Sequence, residues 1–225
     1  MLLDFLRTGD MTGVVIGLCV SVFVIFITFP LHEFAHAYVA HLLGDDTAKQ
    51  QGRLTINPIA HINWLGALMI LLVGFGYAQP VPVNIRNIKM QNKKLGMALI
   101  ALAGPMSNIL FAVLSILLYF VVALLGKGSE ISSSFMIFFH YSALININLA
   151  VFNFIPIPPL DGSRILYVVL PTKYYFAVMK YERYIIIAIF VLLFFGVLST
   201  PLSLISNAIY NGLFNLFYGI FINFV

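Results

Sequence analysis

His32-Glu33-Phe34-Ala35-His36 is the part of the chain whose residue types and spacing could do chemistry. On a helix, positions four apart are rotated by about 40° and stacked one turn apart, so two imidazoles can bind one metal ion. Glu33 then lies beside that ion, able to take a proton from a bound water. With 5 His in the whole chain, chance produces such a motif on the order of 0.1–0.2% of the time. The bland alternative is that these side chains face a polar interface or snorkel to a membrane edge. A Glu inside an apolar helix costs about 2.5–3.5 kcal/mol or more near its centre, and so marks function.

A hydrolytic zinc takes three protein ligands and keeps a fourth position open for water. The helix supplies two, so the third comes from His41, His61, His140, Asp45, Asp46 or Asp161. His41 lies nine residues after His32, about 900° around a helix and therefore on the opposite face. Asp45 and Asp46 follow Gly44, a C-cap candidate, and read as a solvated loop. His140 sits in an apolar run and reads as a packing histidine. Asp161 stands apart because it ends Asn153-Phe-Ile-Pro-Ile-Pro-Pro-Leu160. Three prolines force an extended segment there, and irregular backbone at membrane depth occurs only where it is buried in protein or lines a wet cavity. An acid at the end of such a segment is a natural ligand; the other reading makes it the N-cap of a helix over 162–170.

These residues must be positioned by membrane elements. The chain has 225 residues, 61% hydrophobic and only 9% charged, whereas soluble domains carry about 25% charged residues. That composition excludes a soluble domain, a disordered chain, a nucleic-acid binder and a disulfide-stapled module, since Cys19 is the single cysteine. About 20 apolar residues cross a hydrocarbon core. Runs suited to crossing or dipping in lie at 11–43, 62–83, 95–126, 131–160, 184–200 and 201–225. The first run leads straight into the ionisable cluster with no small-residue cleavage site, so it reads as retained. The length suits a single integral-membrane domain over 1–225, with a catalytic core at about 11–166 and C-terminal membrane helices at 184–225. If 62–83 dips in and returns, ten of the 12 Lys and Arg share one side; if it crosses, nine do. Both splits satisfy the positive-inside rule, so charge alone leaves the choice open.

HEFAH at the end of an apolar helix, NFIPIPPLDG over 153–162 and AGPMSN over 103–108 together resemble the site-2 protease family of intramembrane zinc metalloproteases. INPIAH over 56–61 and AQPVPVN over 78–84 resemble its compact bacterial branch, although Gln79 stands where branch members often have Lys. The resemblance covers about 11–166 and leaves the last forty residues unmatched. It implies an all-α polytopic membrane fold around one Zn2+ held by His32, His36 and Asp161, with Glu33 as general base. It also implies a substrate or oxyanion contact at Asn153, joined by Asn108, and transmembrane segments of other proteins as substrates.

A shared ion places HEFAH and Asp161 at the same face of the bilayer, which forbids a crossing by 62–83. The expected architecture is therefore four to five transmembrane helices plus a re-entrant hairpin turning at Gly74 and Gly76, with a weak β signal over 77–85. The site is expected toward the cytoplasmic side of a bacterial cell membrane, with lipid and membrane-protein substrates as partners and no nucleic acid. Two further classes compete: a metal transporter using the same histidines, and an inactive scaffold that retains the fold.

Overall fold

The computed structural model describes residues 11–73, 76 and 78–222. Helix α1 (Met11–Phe23) runs through a π-helical segment (Val24–Thr28) into α2 (Phe29–Leu42), giving one continuous apolar rod of 32 residues. The widening has a local cause. Pro30 has no N–H for the carbonyl one turn back and its ring crowds that carbonyl. Just upstream the ladder shifts, and Phe29 N–H bonds to Val24 O, five residues away. Gly44, with φ +97, ends the rod; the lysine side chain of Lys89 passes so close that a Cβ there would strike it.

A short turn of helix, α3 (Thr47–Gln50), follows, and then α4 (Trp64–Val73). Ten residues of helix rise about 15 Å, half of a hydrocarbon core. The chain then comes back to its starting point, because Gln79 N–H donates to His61 O at 2.8 Å. Residues 78–92 run on without regular structure along α2, and Lys89 N–H bonds to Leu43 O at 2.9 Å.

Helix α5 (Lys93–Leu125) is capped by Asn92, which accepts from Leu95 N–H, and contains Pro105. A tight connection leads into α6 (Glu130–Asn153), capped by Ser129 accepting from Ser132 N–H. Short links between long helices make antiparallel neighbours, and α5 packs against both α6 and α2. Chain 154–160 is irregular and delivers α7 (Asp161–Leu166) against α5. Gly162 is required here, since a Cβ would run into the carbonyls of Phe154 and Ile155. The C-terminal part comprises α8 (Thr172–Met179), α9 (Glu182–Phe194) and α10 (Ser199–Phe221), the last packed on α6 and α5.

The all-helical expectation holds among the described residues, with corrections. Among the described residues three helices are long and apolar enough to cross, Met11–Leu42, Lys93–Leu125 and Glu130–Asn153, fewer than the four to five expected. In the C-terminal pair, α9 has only 13 residues, and α10 is diluted by Ser203, Ser206, Asn207, Asn211 and Asn215. No strand forms at 78–85, where Pro80 and Pro82 remove ladder donors. The expected turn at Gly74 and part of the 77–85 signal (Tyr77) lie outside the described residues. Asp161 is the first helical residue of α7, and Leu160 holds the N-cap position instead.

Candidate metal centre

Helix α2 puts His32, Glu33 and His36 in the interior, at 8%, 7% and 4% exposure. The two imidazoles meet edge to face, with Nε2 atoms 3.0 Å apart. Asp161 Oδ2 arrives from α7 at 3.3 Å from His32 Nε2 and 3.2 Å from His36 Nε2. Among the described residues this is the group of His, Cys, Asp and Glu side chains whose ligand atoms converge, all within 4.8 Å.

The mutual distances bear on what the cluster can hold. Four ligands placed tetrahedrally at 2.0–2.1 Å from zinc are about 3.3 Å from one another, close to the spacings above. His36 Nδ1–H donates to Ile100 O at 2.6 Å, which leaves the Nε2 lone pair aimed at the cluster and fixes the ring. Two neutral imidazoles and a carboxylate offer at most one proton to three close approaches; a divalent cation satisfies all three. The donor set therefore fits one Zn2+.

Gly104 of α5 makes the approach possible. A Cβ there would clash with His36 Nε2 and lie 2.6 Å from His32 Nε2. Pro105, next in the chain, removes a helical donor from Ala101 O in the same turn. Glu33 is fixed from the other side, where Val81 N–H donates to Oε2 at 2.9 Å. Segment 78–92 is held in place in turn by Arg53, whose guanidinium donates to Gln79 O at 2.6 Å.

The other candidate ligands fall elsewhere. His41 Nδ1 pairs with Asp46 Oδ1. His61 Nε2–H donates to Thr55 O at 2.7 Å, and burial, helped by Arg53, lowers its pKa so that it stays neutral. His140 Nδ1 accepts from Tyr210 Oη–H at 2.6 Å. Asn153 Nδ2–H donates back to Leu149 O at 2.9 Å, while Asn108 Oδ1 is buried on α5 with no hydrogen-bond partner among the described residues. The solvated-loop reading of Asp45 is wrong. It is 0% exposed and accepts from Thr47 N–H and Oγ1–H, Asn84 N–H and Asn87 Nδ2–H. Burial opposes its charge, yet these donors prevail and lower its pKa. Sequence reasoning missed it because all its partners but Thr47 are about 40 residues away. It also missed the Val81 and Ile100 backbone contacts, for which no side-chain pattern exists.

The sequence signature of "Peptidase family M50" matches residues 121–196. "Putative zinc metalloprotease YwhC" of Bacillus subtilis (strain 168) is 39% identical over 204 residues, 89% of this chain and 91% of that protein. The chain belongs to peptidase family M50, the site-2 protease family. Other M50-like relatives bear similar names. "Putative zinc metalloprotease MJ0611" of Methanocaldococcus jannaschii is 32% identical over 61% of this chain and 64% of its own. "Putative zinc metalloprotease Rip2" of Mycolicibacterium smegmatis is 31% identical over 59% and 50%. No solved structure matches. Membership in M50, together with the helices able to cross a bilayer, makes the chain an integral membrane protein of a metalloprotease family.

Proposed function

We propose that the chain is an intramembrane zinc metalloprotease that hydrolyses peptide bonds in or near transmembrane segments of other membrane proteins. The observation that carries this reading is the convergence of His32, His36 and Asp161, from two separate elements, beside a buried Glu33. His32, His36 and Asp161 are assigned as the zinc ligands. When bound, zinc polarises water and lowers its pKa to about 7.

Glu33 is the general base. It accepts the proton of the attacking water and returns it to the leaving amine. The Val81 N–H leaves one carboxylate oxygen of Glu33 for that exchange and restrains the rotamer through the other. The substrate helix must unwind first, because a helical carbonyl is hydrogen-bonded and shielded by side chains. Asn108 and Asn153 are assigned to substrate contact; Asn153 would exchange its bond to Leu149 O for one to the developing oxyanion.

The location follows from the same chemistry. Residues 62–78 begin and end at one hydrogen-bonded point, which supports a re-entrant hairpin and a site on the side of the loops that carry most Lys and Arg, the cytoplasmic side of a bacterial cell membrane. A metal transporter would need further ionisable stations along the spans, but His140 and His41 are engaged by Tyr210 and Asp46. A scaffold would not need a base held beside the ligands.

The deciding experiment compares wild type and Glu33→Gln in vesicles containing a transmembrane peptide. The expected result is bound zinc in both and cleavage only by wild type; equal cleavage removes Glu33 from the chemistry. Topology is tested with single cysteines at Asn87 and Thr172 in a Cys19→Ser background. Both should react with an impermeant thiol reagent from the cytoplasmic face alone.

A further inference from the structure

A second concavity, remote from the zinc ligands in sequence and chemistry, lies where α5 begins. Its volume is about 750 Å³, and Arg86, Lys93, Lys94 and Tyr167 are among its lining residues, with no acid among them. Arg86 and Lys93 are exposed, and among the described residues none of the three cations forms an ion pair. Lys93 Nζ–H donates to the backbone O of Arg86 at 2.7 Å, which holds the Lys93 ammonium against the chain at Arg86 on the same rim. Lys94 forms the wall, with Nζ 4.6 Å above the Tyr167 ring and donating to Leu170 O at 2.9 Å.

Three positive charges gathered without a counter-charge repel one another unless an anion is drawn in. The position says which anion. Lys93 is the first residue of a helix apolar enough to cross the bilayer, so the cavity opens at the depth of lipid phosphates. Leu95 and Leu99, in the first two turns of the same helix, are 40% and 39% exposed and offer apolar surface to acyl chains just below. Basic pockets at cytoplasmic helix ends bind anionic headgroups, each Lys or Arg near the surface contributing about 1 kcal/mol.

We propose that Arg86, Lys93 and Lys94 form a binding site for the phosphate headgroup of an anionic phospholipid. The site does not depend on the peptidase reading, since it uses none of the residues assigned to zinc or to proton transfer. It does touch the same framework: the Lys94 bond to Leu170 O ties α5 to the chain just after α7, whose first residue is Asp161.

The test uses the full chain in mild detergent, titrated with phosphatidylglycerol or phosphatidylcholine of identical acyl chains and read by native mass spectrometry. Lys94 is left intact because of its bond to Leu170. Wild type should retain phosphatidylglycerol in preference to phosphatidylcholine. The Arg86→Gln, Lys93→Gln double variant should lose that preference by roughly five-fold per cation. The Arg86→Lys, Lys93→Arg variant, which keeps the charge, should restore it, and Lys127→Gln in the α5–α6 connection should leave it unchanged. Three results would each overturn the proposal: wild-type retention by the double variant, an equal loss in Lys127→Gln, or displacement of the lipid by inorganic phosphate at matched concentration, which would make the ligand free phosphate.

Discussion

The end of the molecule that carries His32, Glu33, His36 and Asp161 and the end built from α9 and α10 are held by different forces. Around the site, single polar bonds join residues far apart in sequence: His36 to Ile100 O, Val81 N–H to Glu33, Asn84 N–H to Asp45, Lys94 to Leu170 O. In the C-terminal part, no side chain of α9 is buried among the described residues, and α10 buries Leu202 and Tyr210 in an apolar and aromatic cluster with α5 and α6. Apolar packing between helices gains little over contact with lipid, and it tolerates small shifts. A ligand atom tolerates almost none, because metal–ligand distances are set within about 0.2 Å. Directional bonds are concentrated where placement matters, and the remainder of the chain has only to stay helical and apolar.

The sharpest way to test that contrast is at Glu33. Glu33→Gln keeps an oxygen for the Val81 N–H and leaves all three ligands in place, but it removes the proton acceptor. Peptidase turnover should fall by about 10²–10⁴-fold while zinc content by metal analysis is unchanged. A loss of zinc alongside activity would mean that Glu33 holds the site together, not that it acts as base.

Glycines give a matched pair across the two regions. Gly104→Ala would drive a methyl into His32 and His36, and zinc affinity should drop by about 10–100-fold, the usual cost of disturbing what orients metal ligands. Gly212→Ala and Gly219→Ala in α10 meet nothing within 4 Å and should stabilise the helix by up to ~1 kcal/mol. Zinc titrations and thermal melts of the three variants read both effects. Equal tolerance at all three positions would dissolve the distinction.

Much of the site was legible because its chemistry needs rare residue types in a helical period. HEFAH in an apolar helix and an acid behind three prolines are unusual enough to be noticed without coordinates. The helix count was less legible. Runs 184–200 and 201–225 are apolar enough to suggest spans, yet the break at 195–198, with Gly196 at φ +75, and the Asn and Ser residues of α10 leave neither helix with the required length and hydropathy together. Contacts made by backbone, such as Val81 N–H and Ile100 O, have no residue-type signature at all. Asp45 was misread for a related reason: an acid after a C-cap glycine is ordinarily solvated, and only the return of segment 78–92 along α2 buries it.

Asp45 makes a prediction of intermediate size. Its folded pKa is lowered, so its stabilisation is fully present above the unfolded value of about 3.9 and is lost as pH falls through the folded value. Asp45→Ala leaves the Asn84 N–H without its acceptor, and should destabilise the protein by about 1–3 kcal/mol at neutral pH. The difference from wild type should shrink toward acid pH. A difference that stays constant on acidification would show that packing, not the carboxylate, is what Asp45 supplies.

The smallest expected effect is at a side-chain hydrogen bond that ties α10 to a spanning helix, Tyr210 Oη–H to His140 Nδ1. Polar bonds between helices in a bilayer average about 0.6 kcal/mol, because the separated helices find other partners. Tyr210→Phe deletes the hydroxyl and keeps the ring, which packs against His140 at 5.0 Å between centroids and against Phe214 at 5.6 Å. The apolar cluster that includes Ala112, Ile116 and Ile147 therefore stays filled. The thermal midpoint should fall slightly, and peptidase turnover should change by less than about two-fold, because the hydroxyl touches no zinc ligand and no element that seats one. A loss of turnover comparable to that of Gly104→Ala would break the comparison, since it would show that α10 positions the site through α6 and that the C-terminal helices do more than cover the bundle.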